Sequence, residues 1–154
     1  MENFIDKNTE DKKVTVNKKL LFSDASTRGN VSIIGYKIGD NKIVVKKEQL
    51  KNTQAEMEAA IQLLKEVKKS ETKCQHILYT DCDKIFRLSK EIMEPRDKHE
   101  LKLMKLLSST KTEVEHVKGH SKQIDKNSVE LQFQQVDKLV RKTLRNHFKH
   151  NINE

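Results

Sequence analysis

The sequence predicts one α/β domain built on a mixed β-sheet with helices packed on its faces. Three observations carry this reading: five β-like apolar runs, the first three in direct succession; a change to helical period after the third; and a long amphipathic stretch near the end of the chain. A meander of strands followed by βα alternation calls for both antiparallel and parallel pairing. With 154 residues, the chain is long enough to bury a core of its own.

Residues 1–16 are polar and lysine-rich without a sustained period, which predicts a flexible tail ahead of a domain over 17–148. From Lys18 to Asp24 the run KLLFSD predicts a buried strand, and VSIIGYKI (31–38) and KIVVKKE (42–48) predict two more. Gly39, Asp40 and Asn41 supply turn chemistry between the second and third, making that pair a hairpin. Between Thr53 and Lys68 the period changes: Met57, Ala60, Ile61, Leu64 and Val67 recur at helical spacing. HILYT (76–80) predicts a fourth strand, followed by a short helical stretch from Ile85 to Ile92. Pro95, the only proline, punctuates the chain before a helix over His99 to Leu107 with Leu101, Met104 and Leu107 on one face. TEVEHV (112–117) alternates like a fifth strand, GHSKQIDKNS predicts a loop, and Val129 to Phe148 predicts a long final helix. No internal repeat and no linker divides the chain.

Charge narrows the function classes. Lysine and arginine total 31 against 23 aspartate and glutamate, a formal net charge of +8. A basic body suits a polyanionic partner, although solvated surface lysines alone give the same excess. No apolar run is long enough to cross a bilayer, and MENFIDKNTEDKK is too polar for a signal peptide. Cys74 and Cys82 form neither a metal-ligand pattern nor a disulfide framework, which predicts reduced thiols in the cytoplasm.

Four acidic residues stand out by their settings. Asp24 in LLFSDAS and Asp81 in HILYTDCD end apolar strands; Glu56 in NTQAEMEAAI and Asp137 in QQVDKLVRK sit on amphipathic helices. Strand parity places Asp24 on the face of Leu20 and Phe22, and Asp81 on that of Ile77 and Tyr79. Glu56 lies roughly 70° from the centre of its helix's apolar stripe and points toward the sheet edge, whereas Glu58, at roughly 130°, is expected to face water. Singly, each has an ordinary explanation as a cap, a turn residue or an exposed helix charge. Brought together, they would form a cluster whose like charges cannot all stay ionised without a cation.

The five motifs, in this order, resemble type 1 ribonuclease H over about residues 17–145. LLFSDAS is similar to that family's first-strand motif, NTQAEMEAAI to its helix motif with Glu56, and LYTDCDK to its fourth-strand motif with Asp81. VEHVKGH followed by VDKLVRK is similar to its fifth strand, its histidine loop at His120 and its last carboxylate at Asp137. The resemblance implies a ribonuclease H-like fold with a five-stranded sheet in the order 3-2-1-4-5. It also implies an endoribonuclease that hydrolyses the RNA strand of an RNA/DNA hybrid, using two Mg²⁺ ions, with Mn²⁺ as a substitute. On this reading Asp24 bridges both ions, Glu56 and Asp81 hold one and Asp137 the other, and His120 shuttles a proton or helps product leave. Ser26, Asn52, Thr53, Gln54 and Lys118 are the expected substrate contacts, reading 2′-hydroxyls and phosphates. Asn52 or Thr53 is also expected to cap the helix. A monomer is expected.

Departures from the family pattern mark out what to look for. Ala25 stands where a glycine usually follows the first aspartate, and its methyl group is expected to crowd substrate or metal. No long basic handle fits between Asp81 and His120, and no tryptophan is present to line a DNA-strand channel. The longer stretch from His120 to Asp137 makes Asp125 a competitor for the fourth ligand position, though VDKLVRK supplies the helical context for Asp137. Two other classes stay open: a non-catalytic nucleic-acid-binding module on the same fold, and a same-fold nuclease acting on DNA. A zinc site at His116 and His120 lacks further ligands.

Overall fold

The computed structural model describes residues 18–70, 74–117 and 128–153. The stretches 1–16 and 118–127, and with them the expected tail, His120, Lys118 and Asp125, lie outside the described residues.

The elements follow in the order β1 (Lys18–Arg28), β2 (Val31–Ile38), β3 (Val44–Glu48), α1 (Asn52–Lys69), β4 (Gln75–Thr80), α2 (Asp83–Ser89), α3 (Lys98–Ser109), β5 (Thr112–His116) and α4 (Ser128–Asn153). They form one five-stranded sheet in the expected order β3-β2-β1-β4-β5. β2 pairs antiparallel with β1 and β3, and β4 pairs parallel with β1 and β5.

Strand β1 reaches Arg28 rather than ending at Asp24. Ala25, Ser26 and Thr27 carry little strand signal, but they pair with Ile34, Ile33 and Ser32 of β2, whose apolar side chains drive the pairing. The hairpin closes through Gly29 and Asn30, with Gly29 at φ +61°, a left-handed conformation that glycine adopts without a Cβ penalty. Conversely, β3 starts only at Val44: Lys42 and Ile43 precede it, and Ile43 packs onto the core without joining the ladder.

Alternation along the strands splits the core in two. On one face Leu21, Tyr36 and Leu78 meet Met57, Ile61 and Leu64 of α1, Ile85 and Leu88 of α2 and Leu103 of α3. On the other, Phe22 and Ile33 meet Phe133, Val136, Val140 and Leu144 of α4. Between α2 and α3 the buried Glu100 carboxylate accepts from Lys84 Nζ at 2.6 Å and from the Arg96 N–H at 2.9 Å, while Asp97 caps α3 through Glu100 N–H at 2.8 Å. This pairing fixes the α2–α3 corner behind β4 and β5.

One glycine governs how closely α4 approaches the sheet. Gly35 sits opposite Asp24 in the β1–β2 register, and a methyl group there would collide with Val140 Cγ2 while only touching Val136 and Val45. We predict that Gly35→Ala destabilises the fold by about 1–3 kcal/mol through overpacking. Urea unfolding should record the loss, and Val140→Ala in the same chain should recover part of it.

Candidate active site

Parallel register builds the first half of the site. Phe22 pairs with Tyr79 across β1 and β4, and their rings stack at 5.4 Å between centroids. Two residues beyond that pair come Asp24, still within β1, and Asp81, just past the end of β4. The Thr80 hydroxyl accepts from Cys82 N–H at 3.1 Å, which holds the turn on which Asp81 stands. Helix α1 brings Glu56 over the same end of the sheet, and the backbone of Ala25 hydrogen-bonds its carboxyl. One carboxylate oxygen from each of Asp24, Glu56 and Asp81 lies within 4.8 Å of the others.

Helix α4, seated at Gly35, supplies the fourth carboxyl. Asp137 is in hydrogen-bonding contact with Asp24 and accepts from Arg141 Nε at 3.2 Å. Four acidic groups from four separate elements therefore meet around Asp24, which is only 2% exposed. Asp24 Oδ2 and Glu56 Oε2 are buried without a hydrogen-bond partner. Burying such oxygens unpaired is costly, and a bound cation would satisfy them. Hard carboxylate oxygens suit Mg²⁺ or Mn²⁺, and the set contains no soft ligand that would favour zinc.

The electrostatics follow from this crowding. Burial first, and then the charges of Glu56, Asp81 and Asp137, push Asp24 up to about 10. Burial and Asp81 push Glu56 up to about 8, against the lowering effect of its bonds to Ala25 and Asp24. The neighbouring Cys82 thiol is pushed up to about 11, chiefly by burial, and stays protonated and unreactive at neutral pH. Both cysteines are free.

Several expected positions come out differently in detail. Asn52, Thr53 and Gln54 are exposed on the first turn of α1, but neither Asn52 nor Thr53 caps it: Lys51 holds the cap position with no side-chain bond, leaving their side chains exposed beside Glu56. Ser26 lies half-buried on β1 opposite Ile33. The Ala25 methyl packs against Ile34, Ala55 and Ala59 between β2 and α1. Glu58 is half-buried and not fully in water, its side chain 24% exposed. Burial pushes it up, but bonds from Gln62 at 2.8 Å and His99 at 3.0 Å outweigh this and hold it below its usual value. The His99 bond ties α1 to the start of α3, a contact across 41 residues of sequence that helical periodicity cannot register.

Residues 16–145 match the family model described as RNase H. The chain belongs to the RNase H family. The resemblance to type 1 ribonuclease H and the strand order it implied are borne out. Among solved structures, RNase H1 from the halophilic archaeon Halobacterium salinarum NRC-1 is 18% identical at a TM-score of 0.61, with 84% of this chain and 98% of that one covered. LC11-RNase H1, isolated from compost by a metagenomic approach, is 18% identical at a TM-score of 0.63, covering 86% and 99%. LC11-RNase H1 in complex with an RNA/DNA hybrid is 16% identical at a TM-score of 0.63, covering 80% and 94%. At these identities the likeness lies in the fold. None of the curated proteins matches the chain. No helix among the described residues of this RNase H family member is long and apolar enough to cross a membrane.

The raised carboxyls link pH to stability. Asp24 and Glu56 ordinarily titrate at 3.8 and 4.5, so between those values and about 10 and about 8 the folded state binds more protons than the unfolded one. Their protonation therefore supports the metal-free fold fully at low pH, and that support is lost as pH rises through their folded values. We predict that, in chelator, the melting temperature falls from pH 6 to pH 9, and that saturating Mg²⁺ flattens this dependence. Asp24→Asn should raise the metal-free melting temperature at pH 8 by about 3 °C or more and abolish the Mg²⁺ response. Calorimetry across the pH series measures both effects.

Proposed function

We propose that this RNase H family member is an endoribonuclease that cleaves the RNA strand of an RNA/DNA hybrid. The observation that carries the reading is the convergence of Asp24, Glu56, Asp81 and Asp137, with buried, unpartnered oxygens on Asp24 and Glu56. Mg²⁺ or Mn²⁺ held by these carboxylates, two ions in this reading, would supply Lewis acidity toward the scissile phosphate and activate a water. Asp24, in contact with the other acidic groups, would hold both ions; Glu56 and Asp81 would hold one and Asp137 the other. Arg141 keeps the Asp137 carboxylate oriented toward Asp24. No protein nucleophile is needed, and the protonated Cys82 thiol offers none.

Substrate choice is assigned to the rim. Asn52, Thr53 and Gln54 stand exposed within a turn of Glu56, where amide and hydroxyl groups can bond 2′-hydroxyls in a minor groove. Ser26 is assigned the same role, and Lys118, outside the described residues, is assigned a phosphate contact from its sequence motif. His120 is assigned proton transfer, with a loss of roughly a hundredfold expected on His120→Ala. The protein is proposed to act as a monomer in the cytoplasm, a reducing compartment that suits its two free cysteines.

The test follows end-labelled RNA in an RNA/DNA hybrid beside double-stranded RNA, double-stranded DNA and single-stranded RNA, in Mg²⁺, Mn²⁺ or chelator. Metal-dependent cutting of the hybrid alone is expected, with Asp81→Asn reducing the rate by about 10³-fold or more. Tight hybrid binding without cutting in either metal would instead indicate a non-catalytic hybrid-binding module, and cutting of DNA a different nuclease.

A further inference from the structure

On the face of α1 and α3 turned away from the sheet lies a groove of about 500 Å³. Its walls carry Lys68 of α1 and Lys98, Lys102 and Lys105 of α3; Leu101 and Leu106 contribute apolar surface. None of its lining residues is acidic. Leu101 is 43% exposed, so the apolar surface is open to an incoming group. Lys68 stands twelve residues beyond Glu56, about 18 Å along the helix axis, so this end of the groove is remote from the carboxylate cluster.

The lysines of the lining have no acidic partner within the groove itself. The one carboxylate of α3, Glu100, is buried and held by Lys84 and Arg96 on the opposite side of the helix. Lys65, beside Lys102 but outside the groove lining, has the Glu58 carboxylate of α1 near it. The lysines that line the groove favour an anionic partner.

We propose that this groove is a docking site for an acidic segment of a partner protein that carries aliphatic or aromatic side chains among its carboxylates. Carboxylates of the segment pair with Lys98, Lys102 and Lys105, and an apolar side chain covers the exposed Leu101. Phosphate contacts would have no use for the leucine surface. The proposal does not depend on the nuclease reading, because it rests on none of the residues assigned to that site.

The test uses the full chain and a fluorescein-labelled octapeptide of six aspartates with one leucine and one phenylalanine. Saturable anisotropy binding that weakens with salt is expected. Lys102→Glu with Lys105→Glu should lower the affinity roughly tenfold or more, while cleavage of the RNA/DNA hybrid stays at the level of the unaltered chain. Leu101→Ser, which leaves the charge unchanged, should also weaken the peptide. Circular dichroism melts of each variant establish that the fold is intact. Absence of binding, or equal binding by the double variant, would overturn the proposal. So would equal affinity for an all-aspartate peptide, or tighter binding of an eight-nucleotide oligothymidylate through the same lysines.

Discussion

The mutual repulsion of carboxyl groups gathered around Asp24 is the constraint that the rest of this structure accommodates. A folded chain gains nothing from burying an aspartate at the middle of its central strand among three other acidic groups. Without a cation, the structure tolerates the cluster by keeping protons on it, which is why Asp24 and Glu56 titrate so far above their ordinary values. The arrangement is held by apolar packing elsewhere: Phe22 on Tyr79 fixes the β1–β4 register, and Val136 and Val140 seat α4 over Gly35. Stability made in the two cores thus sustains an unfavourable charge density at one end of the sheet.

Each carboxylate arrives by a different physical route, and this separates the roles of the elements. Asp24 and Asp81 depend on hydrogen-bonded strand register, which fixes their relative position to within one pleat. Glu56 depends on where α1 begins, and the small residues Ala25, Ala55 and Ala59 let that turn lie close to β1 and β2. The alanine after Asp24 belongs to this contact, so its methyl contributes to helix placement while its backbone bonds Glu56. Asp137 depends on the depth of α4 in its sheet groove, which a single missing Cβ at Gly35 permits.

The positive charge of the chain is not uniform in its consequences. Some lysines are consumed inside the fold, as Lys84 is by Glu100. Others, such as Lys46 with Gln62, stitch the edge strand β3 to α1. The lysines of the α1–α3 groove have no such employment and surround exposed leucine surface. Net charge alone therefore could not distinguish a surface kept soluble by lysine from one shaped to receive an acidic ligand.

Local chemistry in the sequence determined the alternation of strand and helix, the five motifs in order and the four acidic residues, because strand parity, helical period and turn residues are encoded within a few positions of one another. It also determined the short β2–β3 turn, where Gly39 takes φ +55°. Only the tertiary structure decided the length of β1, since Ala25 to Arg28 have weak strand character and are held by pairing with β2. It likewise decided that Glu58 is half-buried against His99 and Gln62, that Lys51 stands at the start of α1 without a side-chain cap, and that the Ala25 methyl packs on Ile34, Ala55 and Ala59. The β1–β2 pairing, the Glu58–His99 bond and the packing of Ala25 on α1 are contacts between separate elements, and periodicity within one element carries no information about what packs against it.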